Sequence, residues 1–333
     1  MEPLRIGVLG AARISELAIV KPARTVGARL VAVAARDRSR AEEFAVRHGV
    51  ERVHASYDEL LADPEVEVVY NPLANGLHGP WNLRAIAAGK HVLSEKPFAS
   101  NAVEGAVVRE AALVRGVTVV EAFHYLHHPL FQRVLELLKD DVIGTLRSVE
   151  TPMRMPAPAD DDPRWDLGLA GGSTMDLGCY SIHAVRMIGQ RYGGPPTLVA
   201  AKAGERAGHP GVDEWLTAEY VYPSGATAVA GSHMAADAWD FSLTVVGSRG
   251  QLRVENFVQP HVNDRLTVTT TEGERVEHLG ERSSYTFQLE ALTAHLRQGA
   301  LFPLDLDDAV AQMEAIDAAY ELAGLPPRPT LKL

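Results

Sequence analysis

Asp176, Tyr180 and His183 stand at i, i+4 and i+7 in the run Gly171-Gly172-Ser173-Thr174-Met175-Asp176-Leu177-Gly178-Cys179-Tyr180-Ser181-Ile182-His183. On a helix of about 3.6 residues per turn, a carboxylate, a phenol and an imidazole then share one face. Such a face can bind hydroxyl groups and move a proton, and it can equally be a solvated or internally bonded stripe, because spacing alone is not chemistry. Lys96 is the second candidate. It sits in Glu95-Lys96-Pro97 directly after the apolar run His91-Val92-Leu93-Ser94. The proline fixes its own φ and pushes the residue before it into extended geometry, which aims the ammonium along a strand tip. Catalysis or substrate binding is one reading of that position, and a plain surface charge is the other.

The elements that would present these groups follow from the order of apolar runs. Leu4 to Gly10 is expected to be a buried strand, and Ala11-Ala12-Arg13-Ile14-Ser15 turns it into a helix, the opening of a dinucleotide-binding β-turn-α unit. Gly10 suits the tight turn, while Ala12 and Ser15 stand at the second and third positions of the glycine code. The next strand, Arg29 to Ala35, ends in Arg36-Asp37-Arg38-Ser39-Arg40. An arginine at that tip can meet a 2′-phosphate where an acidic residue would hold ribose hydroxyls, so Arg36 and Arg40 favour NADP over NAD, with Asp37 suited to capping the helix. Val66 to Tyr70, His91 to Ser94 and Val117 to Glu121 continue the series toward about six parallel strands. Their carboxyl ends carry Asn71, Pro72, Leu73, Asn75, His78, Glu95 and Lys96, on the edge where open α/β sheets bind ligands.

From Thr145 the pattern changes. A strand from Leu146 leads into a Pro/Asp-rich loop with Arg154, Arg164, Trp165 and Asp166, then the helix with Tyr180, then β-rich stretches between Leu198 and Thr271. Strands in succession after βα repeats predict an α/β Rossmann domain over 1–122 and an α+β domain with a largely antiparallel open sheet over 123–333, the final helices being able to pack back on the first domain. The free face of such a sheet would be covered by a second copy, giving a homodimer or homotetramer.

Several classes are excluded. A net charge of -11 with no basic run argues against nucleic acid. No apolar run nears the roughly 20 residues of a membrane span, and the start lacks the pattern of an export signal, so a cytoplasmic location is expected. The single cysteine, Cys179, forbids an internal disulfide. The histidines from His124 to His128 and the run Asp160-Asp161-Asp162 lack metal-ligand spacing, and no metal site is expected.

Taken together, Gly7-x-x-Gly10-x-Ala12, Glu95-Lys96-Pro97 and Gly171-Gly172 followed by Asp176-x-Gly178-x-Tyr180-x-x-His183 resemble the glucose-fructose oxidoreductase/inositol dehydrogenase (Gfo/Idh/MocA) family over essentially the whole chain. The resemblance implies that Lys96 and Tyr180 face the nicotinamide and the reacting carbon. Asp176 would hold substrate hydroxyls. Many members have histidine at position 180, and tyrosine there is similar to the branch with dihydrodiol and xylose-type aldose dehydrogenases, most of which prefer NADP. Leu126 stands where several of these relatives have arginine, which leaves the substrate open.

On this footing Tyr180, with a free pKa of ~10 that a nearby ammonium would lower, is the expected proton carrier, and Lys96 stabilises the developing alkoxide. Asp176 orients Lys96 or a hydroxyl, and His183 binds another hydroxyl or relays a proton. Arg164 and Trp165 are expected to contact substrate. Gly10, Ala11, Ala12, Arg13, Ile14, Arg36, Asp37, Arg40, Pro72, Leu73, Asn75, His78, Glu95 and Lys96 are expected to line an NADP or NAD site. The expected reaction moves a hydride between nicotinamide and an alcohol, hemiacetal or carbonyl carbon of a sugar-like polyol. Alternatives are an NAD-dependent glycoside hydrolase on the same fold and a non-catalytic nucleotide-binding regulator.

Overall fold

Short apolar runs alternating with amphipathic stretches fold as strands and helices in the computed structural model, which describes residues 2–332 apart from the side chain of Arg191. The described residues form two units, each with its own sheet. The first unit takes the chain to Phe123, then Tyr285–Met313 and the residues from Thr330. Its strands β1 (Arg5–Leu9), β2 (Arg29–Ala34), β3 (Val68–Asn71), β4 (His91–Ser94) and β5 (Val119–Glu121) pair in parallel in the order β2-β1-β3-β4-β5. Nearly every residue of these strands is buried, as expected of a parallel sheet covered on both faces.

A π-helical turn, Glu16–Val20, runs into α1 (Lys21–Val26), and α2 (Arg38–His48), α3 (Tyr57–Ala62), α4 (His78–Ala87) and α5 (Ala102–Arg115) link the remaining strands. Asp37 caps α2 by accepting the Ser39 N–H at 2.9 Å, as its position suggests. The expectation of about six strands needs correcting to five. Beyond β2 the chain makes a single parallel bridge, Val33 to Val53, because only Arg52 and His54 exchange main-chain bonds with Val33 before α3 begins.

The second unit holds His124–Ser284 and Glu314–Pro329. After α6 (Pro129–Lys139) comes β6 (Leu146–Arg154), then a π-helical turn, Thr174–Gly178, that continues into α7 (Cys179–Ile188). β7 (Thr197–Glu205), β8 (Asp213–Val221), β9 (Thr227–His233), β10 (Leu243–Gly247), β11 (Gly250–Val254), β12 (Arg265–Thr270) and β13 (Gly273–His278) complete a sheet in the order β13-β12-β11-β10-β6-β9-β8-β7. Only β6 and β9 pair in parallel, so the sheet is open and largely antiparallel as the sequence pattern implies. Ser181 in α7 donates to the Gly231 carbonyl of β9 at 2.7 Å, laying the helix on one face.

The pleat of β6 buries Val149, Thr151 and Met153 and turns Glu150, Pro152 and Arg154 the other way, toward a wide concavity of about 1400 Å³. β13 escaped the sequence reading because Gly273-Glu274-Arg275-Val276-Glu277-His278 is polar and exposed, as edge strands often are. The chain ends with α8 (Ser284–Gln298) and α9 (Leu306–Leu322). In the first unit Arg297 of α8 grips the Glu67 carboxylate through both terminal nitrogens, at 2.5 and 2.6 Å. Among the described residues no helix is long and apolar enough to cross a membrane.

Candidate active site

The first unit presents its candidate residues at the carboxyl ends of β1, β2, β3 and β4. Gly10 adopts φ +80°, a conformation that favours glycine, and a Cβ there would press on Leu73 Cδ2 at 3.0 Å. The loop after it shares a cavity of about 330 Å³ lined by Ala11, Ala12, Arg13, Arg40 and Arg47, among others. Arg40 reaches back to donate to the Ala11 carbonyl at 3.1 Å. Arg36 is outside that lining; it lies by the Tyr57 hydroxyl, which bonds with its main chain. Ile14 is half-exposed on the loop, and Asp37 serves as the α2 cap.

The strand tips are fastened by a buried network of amides and hydroxyls. Asn71 donates to Asn82 Oδ1 at 2.9 Å, and Asn82 donates to Ser94 Oγ at 2.9 Å, which ties the ends of β3 and β4 to α4. His78, expected at the cofactor, has its ring nitrogens 2.7 Å from the Pro97 carbonyl and 2.8 Å from the Leu73 carbonyl. It therefore staples the loop after β3 to the Lys96-Pro97 turn. That Lys96-Pro97 bond is cis. Complete burial pushes the His78 imidazole down to about 4 against the pull of the two carbonyls, so the ring is neutral and donates to one of them at a time. Tyr70 holds Glu95 through a 2.8 Å bond from its hydroxyl. Asn75 opens the turn Asn75–Leu77 that leads into α4, with Pro72 and Leu73 preceding it.

In the second unit the helix start is clamped by a residue that the sequence reading passed over. The Asp213 carboxylate, fully buried at the head of β8, accepts from Ser173 Oγ at 2.8 Å, Thr174 N at 2.7 Å and Thr174 Oγ1 at 2.6 Å. Its other oxygen accepts from Tyr320 at 2.9 Å and from Arg328 at 2.5 Å. Gly172 has φ +130°, and a Cβ on it would come 2.0 Å from Asp213 Oδ1; a Cβ on Gly171 would come 2.6 Å from the Arg164 carbonyl. The glycine pair thus exists so that a carboxylate and a loop can reach the helix start.

Past that clamp, Tyr180 and His183 each meet the short turn His124–His127. Tyr180 OH lies 3.1 Å from His124 Nε2, and Tyr125 OH lies 2.8 Å from His183 Nδ1. Both histidines and Tyr125 are fully buried. Asp176 faces Arg164, whose Nη1 is 3.7 Å from its carboxylate while two other guanidinium nitrogens hold Asp162 at 2.9 Å. Trp165 is interior, stacked beneath the Arg206 guanidinium at 5.0 Å with its carbonyl bonded to His209. Arg154 points onto the opposite face of the sheet from α7, and Asp166 caps the turn Leu167–Leu169. No cluster of three or more metal-ligating side chains occurs among the described residues.

Residues 4–123 match the model of the oxidoreductase family with an NAD-binding Rossmann fold, and residues 131–253 match the GFO/IDH/MocA C-terminal domain. The chain belongs to the Gfo/Idh/MocA oxidoreductase family. A D-xylose 1-dehydrogenase (NADP(+)) 2 from Haloferax volcanii is 34% identical over 323 residues, 96% of this chain and 97% of the relative. A trans-1,2-dihydrobenzene-1,2-diol dehydrogenase from Sus scrofa is 35% identical over 227 residues, 68% of this chain and 65% of the relative. Among solved structures, the 3-ketoreductase KijD10 from Actinomadura kijaniata, in complex with NADP and TDP-benzene, superposes with a TM-score of 0.88 at 26% identity, covering 96% of this chain and 98% of that one.

As a Gfo/Idh/MocA member the protein is an NAD(P)-dependent oxidoreductase, and the dehydrogenases and reductases among its relatives favour that reading over a hydrolase or a silent regulator. The residues present fit the cofactor: a glycine turn at positive φ leads to a cavity where Arg13, Arg40 and Arg47 offer phosphate-binding donors alongside Glu16 and Glu43.

Proposed function

We propose that the enzyme interconverts a secondary alcohol or hemiacetal of a sugar-like polyol and its carbonyl form, with NADP(H) preferred over NAD(H). When bound, the nicotinamide supplies or accepts the hydride. The side chains are left with the proton and the developing charge. Tyr180 carries the proton to or from the reacting oxygen. Lys96 donates a hydrogen bond to that oxygen and stabilises its negative charge. Asp176, held by Arg164, binds a neighbouring substrate hydroxyl, and Arg164 flanks it. His183 keeps an orienting role through Tyr125.

The observation that carries this reading is the fixing of the Tyr180 helix: its start is clamped by Asp213, and its phenol lies 3.1 Å from His124 Nε2. Support also comes from the NADP-dependent xylose dehydrogenase at 34% identity across nearly the whole chain. The test is a spectrophotometric screen of aldoses, ketoses, deoxy-ketosugars, inositols and dihydrodiols with both cofactors. On the substrate it identifies, Tyr180→Phe should lower kcat by roughly 10²–10⁴ while leaving NADPH affinity nearly intact. Unchanged turnover in that variant removes Tyr180 from the mechanism.

The same proposal includes a homodimer or homotetramer built on the open face of the eight-stranded sheet, where Trp239 is 62% exposed beside the concavity. Light scattering should show a multiple of the chain mass that Trp239→Glu reduces. A cytoplasmic location completes it, in keeping with a single, buried cysteine.

A further inference from the structure

The phenol of Tyr180 is bonded on the side of His124, and His124 is bonded in turn: its Nε2 lies 3.1 Å from Tyr180 OH and its Nδ1 lies 2.8 Å from Ser284 Oγ. A neutral imidazole carries one N–H, so only one of these contacts can be a donation from the ring. If the proton were on Nδ1, the ring would donate to Ser284 and Nε2 would take the phenolic proton, turning it away from any substrate. If the proton is on Nε2, the ring donates to the phenolic oxygen, and Ser284 donates its hydroxyl proton to Nδ1. Only in the second arrangement is the Tyr180 O–H not donated to His124.

We propose that His124 is a positioning residue for Tyr180, its Nε2–H held on the phenolic oxygen and its Nδ1 accepting from the Ser284 hydroxyl. The proposal rests on the reading of Tyr180 as the proton carrier. As the substrate carbon is reduced by hydride, the Tyr180 O–H bond breaks, the proton passes to the substrate oxygen, and the electron pair stays on the phenolate. The His124 N–H then becomes a charge-assisted bond to that phenolate, stronger than its bond to the neutral phenol. The effect is to make proton release easier without any direct contact between His124 and substrate. The Tyr125 ring lies 6.1 Å from the Tyr180 ring between centroids, with its hydroxyl on His183, and Asp176, in the turn before α7, is paired with Arg164.

The test combines the pH dependence of kcat with NMR of the full chain labelled with ¹³C at the tyrosine ring carbon that bears oxygen, the Tyr180 resonance being the one absent from Tyr180→Phe. His124→Leu should raise the Tyr180 titration midpoint by about 1–2 pH units and move the matching limb of the kcat profile with it. His124→Gln, whose amide N–H can take the place of Nε2–H, should restore most of the shift, and Ser284→Ala should move it part of the way. A midpoint and a kcat limb unmoved by His124→Leu overturn the proposal even when Tyr180→Phe abolishes turnover. Should His124→Leu fail to fold by circular dichroism, Ser284→Ala decides in the same way. Full turnover in Tyr180→Phe instead overturns the proton-carrier reading and this inference with it.

Discussion

The Arg328 guanidinium and the Asp213 carboxylate form an ion pair in which neither side chain has any exposed surface. Asp213 keeps three donors from Ser173 and Thr174 and one from Tyr320 besides the arginine, so its charge is fully solvated by protein. Removing one partner of such a pair strands the other, a loss of about 3–5 kcal/mol. Arg328→Met should fall at the lower end, because the carboxylate retains four donors. Asp213→Asn should fall at the upper end, because it leaves a buried cation and sets an amide N–H₂ against donors. Equilibrium urea unfolding of the two variants and of the double variant measures this, with the double variant less destabilised than the sum.

Gly172→Ala is expected to be as damaging as the loss of a core side chain. The added methyl would overlap Asp213 Oδ1 at 2.0 Å, and φ +130° is strained for any residue with a Cβ. A stability loss of about 3 kcal/mol or more follows, together with lower kcat, since the displaced carboxylate is the one that seats Thr174. By contrast Gly225, also at positive φ but with no atom within 4 Å of a Cβ, should lose only the conformational term of about 1 kcal/mol on the same substitution. A thermal melt of both variants separates crowding from conformation.

The parallel sheet and the largely antiparallel sheet were legible in the sequence because period and length of apolar runs report directly on burial. The helix carrying Tyr180 and His183 was legible for the same reason, whereas Asp176 falls in a π-helical turn whose register differs from the pure α-helix expected of it. Asp213 and His124 were not legible as parts of the site. Each acts through contacts with residues far away in the chain, and a lone aspartate at a strand start or a histidine in a His-rich run has no periodicity to betray it. Trp165, expected at the substrate from its type and its place on a Pro/Asp-rich loop, is buried with the Arg206 guanidinium over its ring and its carbonyl bonded to His209.

Stability should fall with acid in a window set by His78. Burial lowers its imidazole from an unfolded value near ~6.5 to about 4, so the folded chain prefers the neutral ring. The associated stability is fully present above pH ~6.5 and is lost as pH falls toward 4, where the unfolded chain binds one proton more. The expected slope is about 1.4 kcal/mol per pH unit between those limits, flattening below. His127 is lowered to about 4 by burial and steepens the slope in the same window. Urea midpoints at intervals from pH 7.5 to 4 should trace this fall, and His78→Gln, though less stable at neutral pH, should show a shallower one. A slope unaltered in that variant would assign the acid sensitivity elsewhere.

Cofactor choice should reside in Arg40 more than in Arg36. Arg40 spans from α2 to the Ala11 carbonyl and lines the same cavity as Arg13 and Arg47, whereas Arg36 lies by Tyr57 outside that lining. A charge-assisted bond from guanidinium to a 2′-phosphate contributes about 1.5–3 kcal/mol, which corresponds to roughly 10–100-fold in affinity. Arg40→Ala should therefore raise KM for NADP by about that factor and leave KM for NAD, which lacks the phosphate, within about twofold. Arg36→Ala should have the smaller effect on NADP. The ratio of kcat/KM for the two cofactors, measured in low and in moderate salt, decides it: added salt should narrow the ratio in the parent enzyme and narrow it less in Arg40→Ala, where Arg13 and Arg47 remain.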